Sequence, residues 1–148
     1  MLYPHHLCVH QIFENQVSLF PDAVALVHED QSLTYNDLDT RANLLALKMR
    51  ESGIKHGSFI ATLLKRSFEL VISQIAILKL GAIYVPIDPK APEDRQAFII
   101  NDSGAELIVI DVHTQVSPAF QVPLLRLDVK CLENVDVKEF GLPDTFMS

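Results

Sequence analysis

The residues most suited to chemistry in this chain stand at its start, where "HHLCVH" places His5, His6, Cys8 and His10 within six positions. On a helix, His6 and His10 share a face, a spacing that zinc sites use. No second ligand pair with matching spacing occurs elsewhere, so the cluster reads as an exposed or core-edge segment and no metal ligand is assigned. Nucleophilic chemistry finds no better support. Ser67 and Ser103 lie in capping or turn contexts, and the G-x-S-x-G elbow of a hydrolase is absent. Asp88, Asp94, Asp102 and Asp111 follow strand ends or flank helices, where carboxylates cap and turn the backbone. Arg66 and Arg95 read as partners of surface or interdomain carboxylates.

A phosphate cradle needs closely spaced glycines, so that backbone N–H groups can approach the anion, and usually a lysine. The five glycines, at 53, 57, 81, 104 and 141, never come closer than four residues apart. Gly53 and Gly57 bracket "IKH", a helix-to-strand connection. The assignment from these residues is no catalytic, cofactor-binding or metal residue.

The elements that would position such residues are clearer. From His10 to Phe20, Ile12, Phe13, Val17 and Phe20 fit a short amphipathic helix ending before Pro21. "AVALV" and "SLTY" flank His28 to Gln31, the signature of a hairpin. Thr34 and Asp37 form a capping box with aspartate in place of glutamate, and Leu38, Ala42, Leu45 and Met49 mark the inner face of the helix that follows, stopped at Gly53. "SFIATLL", Ser58 to Leu64, has almost no polar alternation and reads as a strand buried on both faces. Ser67 caps a helix to about Leu80, with Glu69 placed to suit the dipole and Gly81 at the left-handed terminus.

"IYVPI" gives the next strand, closed by Asp88 and a proline-rich turn. Pro92 suits the first turn of a helix over "EDRQAFIIND", and Gly104 turns the chain into the strand "ELIVID". Alternating strand and helix argues for a mostly parallel sheet with right-handed crossovers. "LLRLDV" offers a last short strand, and Val129 to Ser148 has no period. Leu70 to Ile87 is apolar on nearly every side, as for a helix and strand sandwiched inside a doubly wound sheet. In that setting the Tyr84 ring packs with its hydroxyl outward, and Pro86 needs an edge or strand end.

Composition excludes several classes. At 148 residues and 49% hydrophobic, the chain holds one domain with a real core. Its 19 acidic and 12 basic side chains give a formal charge of −7 with no basic cluster, which argues against nucleic acid. Cys8 and Cys131 form no C-x-x-C pair, and the N-terminus lacks a signal-peptide pattern, so a reducing cytoplasmic setting is expected. "LVISQIAILKLGAIYVPI" is broken by Lys79, Gly81 and Pro86, short of the roughly 20 apolar residues a bilayer needs.

Read in order, these segments resemble the adenylation domains of nonribosomal peptide synthetases, within the AMP-binding, adenylate-forming superfamily. "LTYNDLDTRAN" is similar to their first core motif, with Leu33, Thr34, Tyr35 and Leu38 matching and Asp37 where glutamate is usual. "LKLGAIYVPIDP" resembles the second, L-K-A-G-x-A-Y-V-P-x-D, with Leu80 and Ile83 replacing alanines. "PDAVALVHEDQSLTY", "KRSFELVISQIAILK" and "PEDRQAFIINDSGAELIV" agree as well, so the likeness covers about residues 9 to 111, with 112–148 an irregular connecting segment.

The resemblance implies an α/β fold equivalent to the N-terminal region of that family: a mostly parallel sheet with flanking helices, an N-terminal helix and a β-hairpin. It also implies that a full enzyme uses ATP and Mg to turn an amino acid into its adenylate, then passes it to the phosphopantetheine thiol of a carrier domain. The family's T-S-G-T-T-G-x-P-K-G phosphate loop, pocket residues and catalytic lysine come after the matched motifs, and residues 1–148 contain none of them. The expectation is therefore an incomplete adenylation domain that carries no cofactor and does no adenylation alone. Two other readings stay open: one half of a split enzyme completed by a separate chain, and a non-catalytic binding or scaffold protein.

Overall fold

The computed structural model describes residues 9–115 and 118–127, the side chains from residue 11 onward. The chain opens with α1 (Val9–Leu19), followed by a hairpin of β1 (Val24–His28) and β2 (Gln31–Thr34) and by α2 (Tyr35–Glu51). An alternating series follows: β3 (Phe59–Leu63), α3 (Phe68–Lys79), β4 (Ile83–Pro86), α4 (Glu93–Asp102), β5 (Ala105–Asp111) and β6 (Leu124–Leu127).

The capping box forms as the sequence anticipates. The Asp37 amide donates to the Thr34 hydroxyl at 3.0 Å, and the Thr34 amide donates to the Asp37 carboxylate at 3.2 Å. Two orphan amides at the start of α2 are thereby satisfied, which explains why the helix begins where β2 ends. The hairpin is tighter than expected. His28 pairs with Gln31, so both are strand residues and Glu29 and Asp30 alone make the turn. Glu29 takes a left-handed φ of 56°, unusual for a residue with a side chain.

β3 to β6 form one parallel sheet in the order β4-β3-β5-β6. The crossover through α3 leads from β3 to β4, and the one through α4 leads back past β3 to β5. Two crossovers of one hand running in opposite directions must place their helices on opposite faces. The burial pattern agrees. Ile60, Leu64, Leu107 and Val109 pack with α2 and α3, whereas Ala61, Leu63, Ile108 and Ile110 pack with Ile100 of α4. Alternate residues of β3 and β5 thus serve two cores, and the missing polar alternation of "SFIATLL" has its reason.

α3 has no exposed residue along its length, as the apolar run from Leu70 predicts. β4 differs from the expectation. It pairs with β3 on one side only, and Ile83 is 44% exposed, so among the described residues it is an edge strand rather than a sandwiched one. The edge position suits Pro86, which lacks an N–H and ends the strand opposite Thr62. The Tyr84 ring packs against the larger core while its hydroxyl accepts a hydrogen bond from Gln74 at 3.1 Å.

Gly81 occupies the turn between α3 and β4 with φ +69°, and its carbonyl accepts from the Gly57 amide at 2.9 Å. A Cβ there would fall on the His56 imidazole. Pro92 stands just before α4 rather than inside its first turn and gives no side-chain cap. Leu124–Leu127 forms the short strand suggested by "LLRLDV", parallel to β5. Val129 to Ser148 lies outside the described residues.

Candidate functional site

In an open parallel sheet, ligands bind beyond the carboxyl ends of the strands, where the strand order reverses. Here the reversal lies between β3 and β5, since the connection from β3 leaves to one side and β5 lies on the other. Leu63 pairs with Ile110 at the end of the ladder. The segment after β3, Lys65-Arg66-Ser67, therefore stands beside the one after β5, Asp111 to Thr114.

Ser67 is committed to the backbone on both sides. Its hydroxyl donates to the Lys65 carbonyl at 2.9 Å and accepts from the Leu70 amide at 3.3 Å, capping α3. Lys65 and Arg66 are exposed, so the β3 side of the crevice is cationic. On the β5 side, one oxygen of Asp111 accepts from the His113 amide at 2.8 Å, the Thr114 amide at 2.7 Å and the Thr114 hydroxyl at 2.7 Å. Partial burial raises the Asp111 pKa, but the Thr114 hydroxyl, the two amides and the nearby His113 outweigh it and hold the carboxyl below its ordinary 3.8. A general base works best when its pKa lies near the operating pH. Asp111 is thus a poor base for Thr114, although the two are in hydrogen-bond contact. Arg126 of β6 fixes the same turn by donating to the carbonyls of Asp111 at 3.2 Å and Thr114 at 3.0 Å.

The remaining singled-out residues are spread over the fold. Asp88 accepts from the Lys90 amide at 2.9 Å in the turn after β4. Asp94 lies in the first turn of α4 and Asp102 is its last residue. The Ser103 hydroxyl donates to the Ile100 carbonyl and accepts from the Ala105 amide, closing the turn around Gly104. Arg95 is exposed on α4. His5, His6 and Cys8 lie outside the described residues, as does the His10 side chain. Among the described residues, no group of three or more His, Cys, Asp or Glu could hold a metal ion.

Sequence reasoning missed two buried polar side chains. Gln96 is buried under the proline-rich turn and donates to the carbonyls of Asp88 at 3.1 Å and Pro89 at 3.2 Å, so it shapes the loop at the carboxyl end of β4. Lys79 is buried where α1, α2 and α3 meet, paired with Asp39 at 2.7 Å and Glu14 at 3.3 Å. One signal for Lys79 was available: it is the one basic residue of a mostly apolar helix, ten residues from Glu69 in the first turn, and such a charge must be paired if it is buried.

Nothing at this crevice assembles a nucleophile, a base and an electrophilic stabiliser among the described residues. Its features are a cationic strand-to-helix turn, a pinned turn after β5 and a braced loop after β4, which are the parts of a supporting wall.

Comparison with known proteins agrees with this geometry. The model of the AMP-binding enzyme family matches residues 13–142. Malpibaldin synthetase of Mortierella alpina is 54% identical over 132 residues, 89% of this chain and 2% of that protein. Among solved structures, the N-terminal subdomain of Klebsiella oxytoca NpsA in complex with 3-hydroxybenzoyl-AMSN superposes with a TM-score of 0.73 at 28% identity, over 84% of this chain and 30% of that one. NpsA-ThdA, an artificially fused adenylation-PCP di-domain NRPS from the same organism, gives 0.72 at 29% identity, over 84% of this chain and 23% of that one. The chain spans a small part of each protein it matches. With the family match covering most of the chain and the parallel sheet reproducing that subdomain, the chain belongs to the AMP-binding enzyme family and corresponds to the N-terminal portion of a nonribosomal peptide synthetase adenylation domain.

Proposed function

We propose that the described residues form the supporting wall of an amino-acid-activating adenylation site and supply none of its reacting groups. The observation that carries this reading is the carboxyl edge of the sheet. Among the described residues its hydroxyl and carboxylate side chains are spent on caps and turns: Ser67 caps α3, and Asp111 accepts from the His113 and Thr114 amides and the Thr114 hydroxyl. In the complete enzyme, ATP and Mg would be held by segments that follow the matched motifs, and the aminoacyl group would pass to a carrier domain. The two cysteines, with no C-x-x-C spacing, support a reducing cytoplasmic setting, and no helix among the described residues is long and apolar enough to cross a membrane.

The test is amino-acid-dependent exchange of pyrophosphate into ATP. The 148-residue chain should give no exchange above a no-enzyme control with any proteinogenic amino acid. Robust exchange would overturn the assignment.

A second reading is favoured by the open edge at β4, where Ile83 and Phe59 are exposed side by side on paired strands. An apolar sheet edge of this kind is normally covered. On this reading the chain is one half of a split adenylating enzyme, completed by a chain that carries the phosphate loop. Co-expression with the adjacent-gene product should then restore exchange, whereas two soluble chains that elute separately and stay inactive when mixed would exclude it.

A further inference from the structure

The cluster around Lys79 has no place in the proposed function, and its construction is asymmetric. The Lys79 side chain is 1% exposed, between Asp39 of α2, 22% exposed, and Glu14 of α1, 34% exposed. The ammonium lies 2.7 Å from Asp39 and 3.3 Å from Glu14, with the Phe13 ring centroid 5.9 Å away. Asp39 belongs to the buried body and by itself neutralises Lys79. Glu14 is the second, longer and wetter partner, and it arrives with α1.

We infer that α1 is a charge-latched clasp, which opens as a unit while α2, α3 and the parallel sheet remain folded. Four observations support it. First, when α1 lifts away, Lys79 keeps Asp39 and gains water, so no unpaired buried charge is created to oppose opening. Second, among the described residues two carboxylates face this one ammonium, so docking α1 brings Glu14 towards the like charge of Asp39 and is self-limiting. Third, α1 is intrinsically weak. It has 11 residues, no acidic residue in its first turn and no basic residue in its last, and helices this short are marginal in water unless packing holds them. Fourth, its apolar anchoring is thin. Phe13 packs against the larger core and 6.1 Å from the Tyr35 ring, but Leu19 and the adjoining Phe20 are exposed.

Amide hydrogen exchange on the purified chain tests the inference, at about 50 mM and about 500 mM salt, which span strong and weak screening of a partly exposed pair. The α1 amides should exchange about tenfold or more faster than the inner amides of α2 and α3. High salt and Glu14→Gln should each speed α1 exchange severalfold further and leave α2 and α3 unchanged. Exchange of α1 in one cooperative step with α2 and α3 would overturn the inference. So would an α1 that Phe13→Leu loosens but Glu14→Gln and salt leave unchanged, since docking would then be apolar.

Discussion

The two faces of the parallel sheet are built to different standards. On one, α2 and α3 pack over Ile60, Leu64, Leu107 and Val109, with the hairpin and α1 laid against them. On the other, among the described residues, α4 is the covering helix over Ala61, Leu63, Ile108 and Ile110, with Phe120 and Val122 of the segment before β6 packed beside it, and its Phe98 is 65% exposed. α2 and α3 have side-chain N-caps and α4 has none. His28 of the hairpin adds an edge-on ring contact with Phe68 of α3. The thick face is the kind a domain builds to hold itself together. The other face, among the described residues, carries a lighter cover and an exposed aromatic.

The largest expected effect separates the faces directly. Ile72 and Ile100 are both fully buried, one in each core. Truncation to alanine costs about 2–5 kcal/mol, more where the surroundings cannot collapse into the cavity. Ile72→Ala should therefore fall near the top of that range and Ile100→Ala near the bottom, read as shifts of the urea midpoint at constant slope. Equal costs would break the comparison.

Next comes the hinge that joins the thick layer to the edge strand. Gly81→Ala should cost about 1–2 kcal/mol for the left-handed backbone alone, and more through the contact with His56. Adding His56→Ala should recover only the second part. A full rescue would mean that the backbone term is absent.

Thr34→Ala should cost about 1 kcal/mol, the usual loss for an N-cap hydroxyl, and thermal unfolding monitored by circular dichroism would show it. α4 has no such bond to lose, so a capping substitution at Pro92 that stabilised the protein would sharpen the contrast.

The smallest effect is at Asp111. Its carboxyl pKa is lower in the folded protein than the ordinary 3.8. The unfolded chain therefore binds the proton first, and the contribution to stability is complete above the unfolded value and lost as pH falls through the folded one. Asp111→Asn should cost about 1 kcal/mol at pH 7, the scale of one net hydrogen bond. The gap to the unsubstituted chain should close as urea midpoints are followed into acid. A gap that widened on acidification would reverse the sign of the argument.

Much of this was legible in the chain. Thr34 and Asp37 announce the start of α2 because a cap is local, needing residues three apart and nothing else. Gly81 announces the end of α3 for the same reason, since a left-handed turn is the property of one residue. Strand exposure was not legible. "IYVPI" is apolar enough to be central, yet β4 is an edge strand, because position in a sheet depends on which strands arrive later and on which side. The candidate site was legible only in part. Caps and turns at Ser67 and Ser103 follow from local context, while the Asp111 turn needed Arg126 from β6, 15 residues away, to complete it.

The sequence by itself determined the elements, their order, the buried character of α3 and the family, because periodicity, caps and motif order are short-range properties of a chain. Tertiary structure alone decided where Lys79 finds its charge partners. Glu14 and Asp39 stand 65 and 40 residues before it, and no spacing rule links them. A buried ammonium requires a carboxylate, but which one it receives is settled only when three helices pack together.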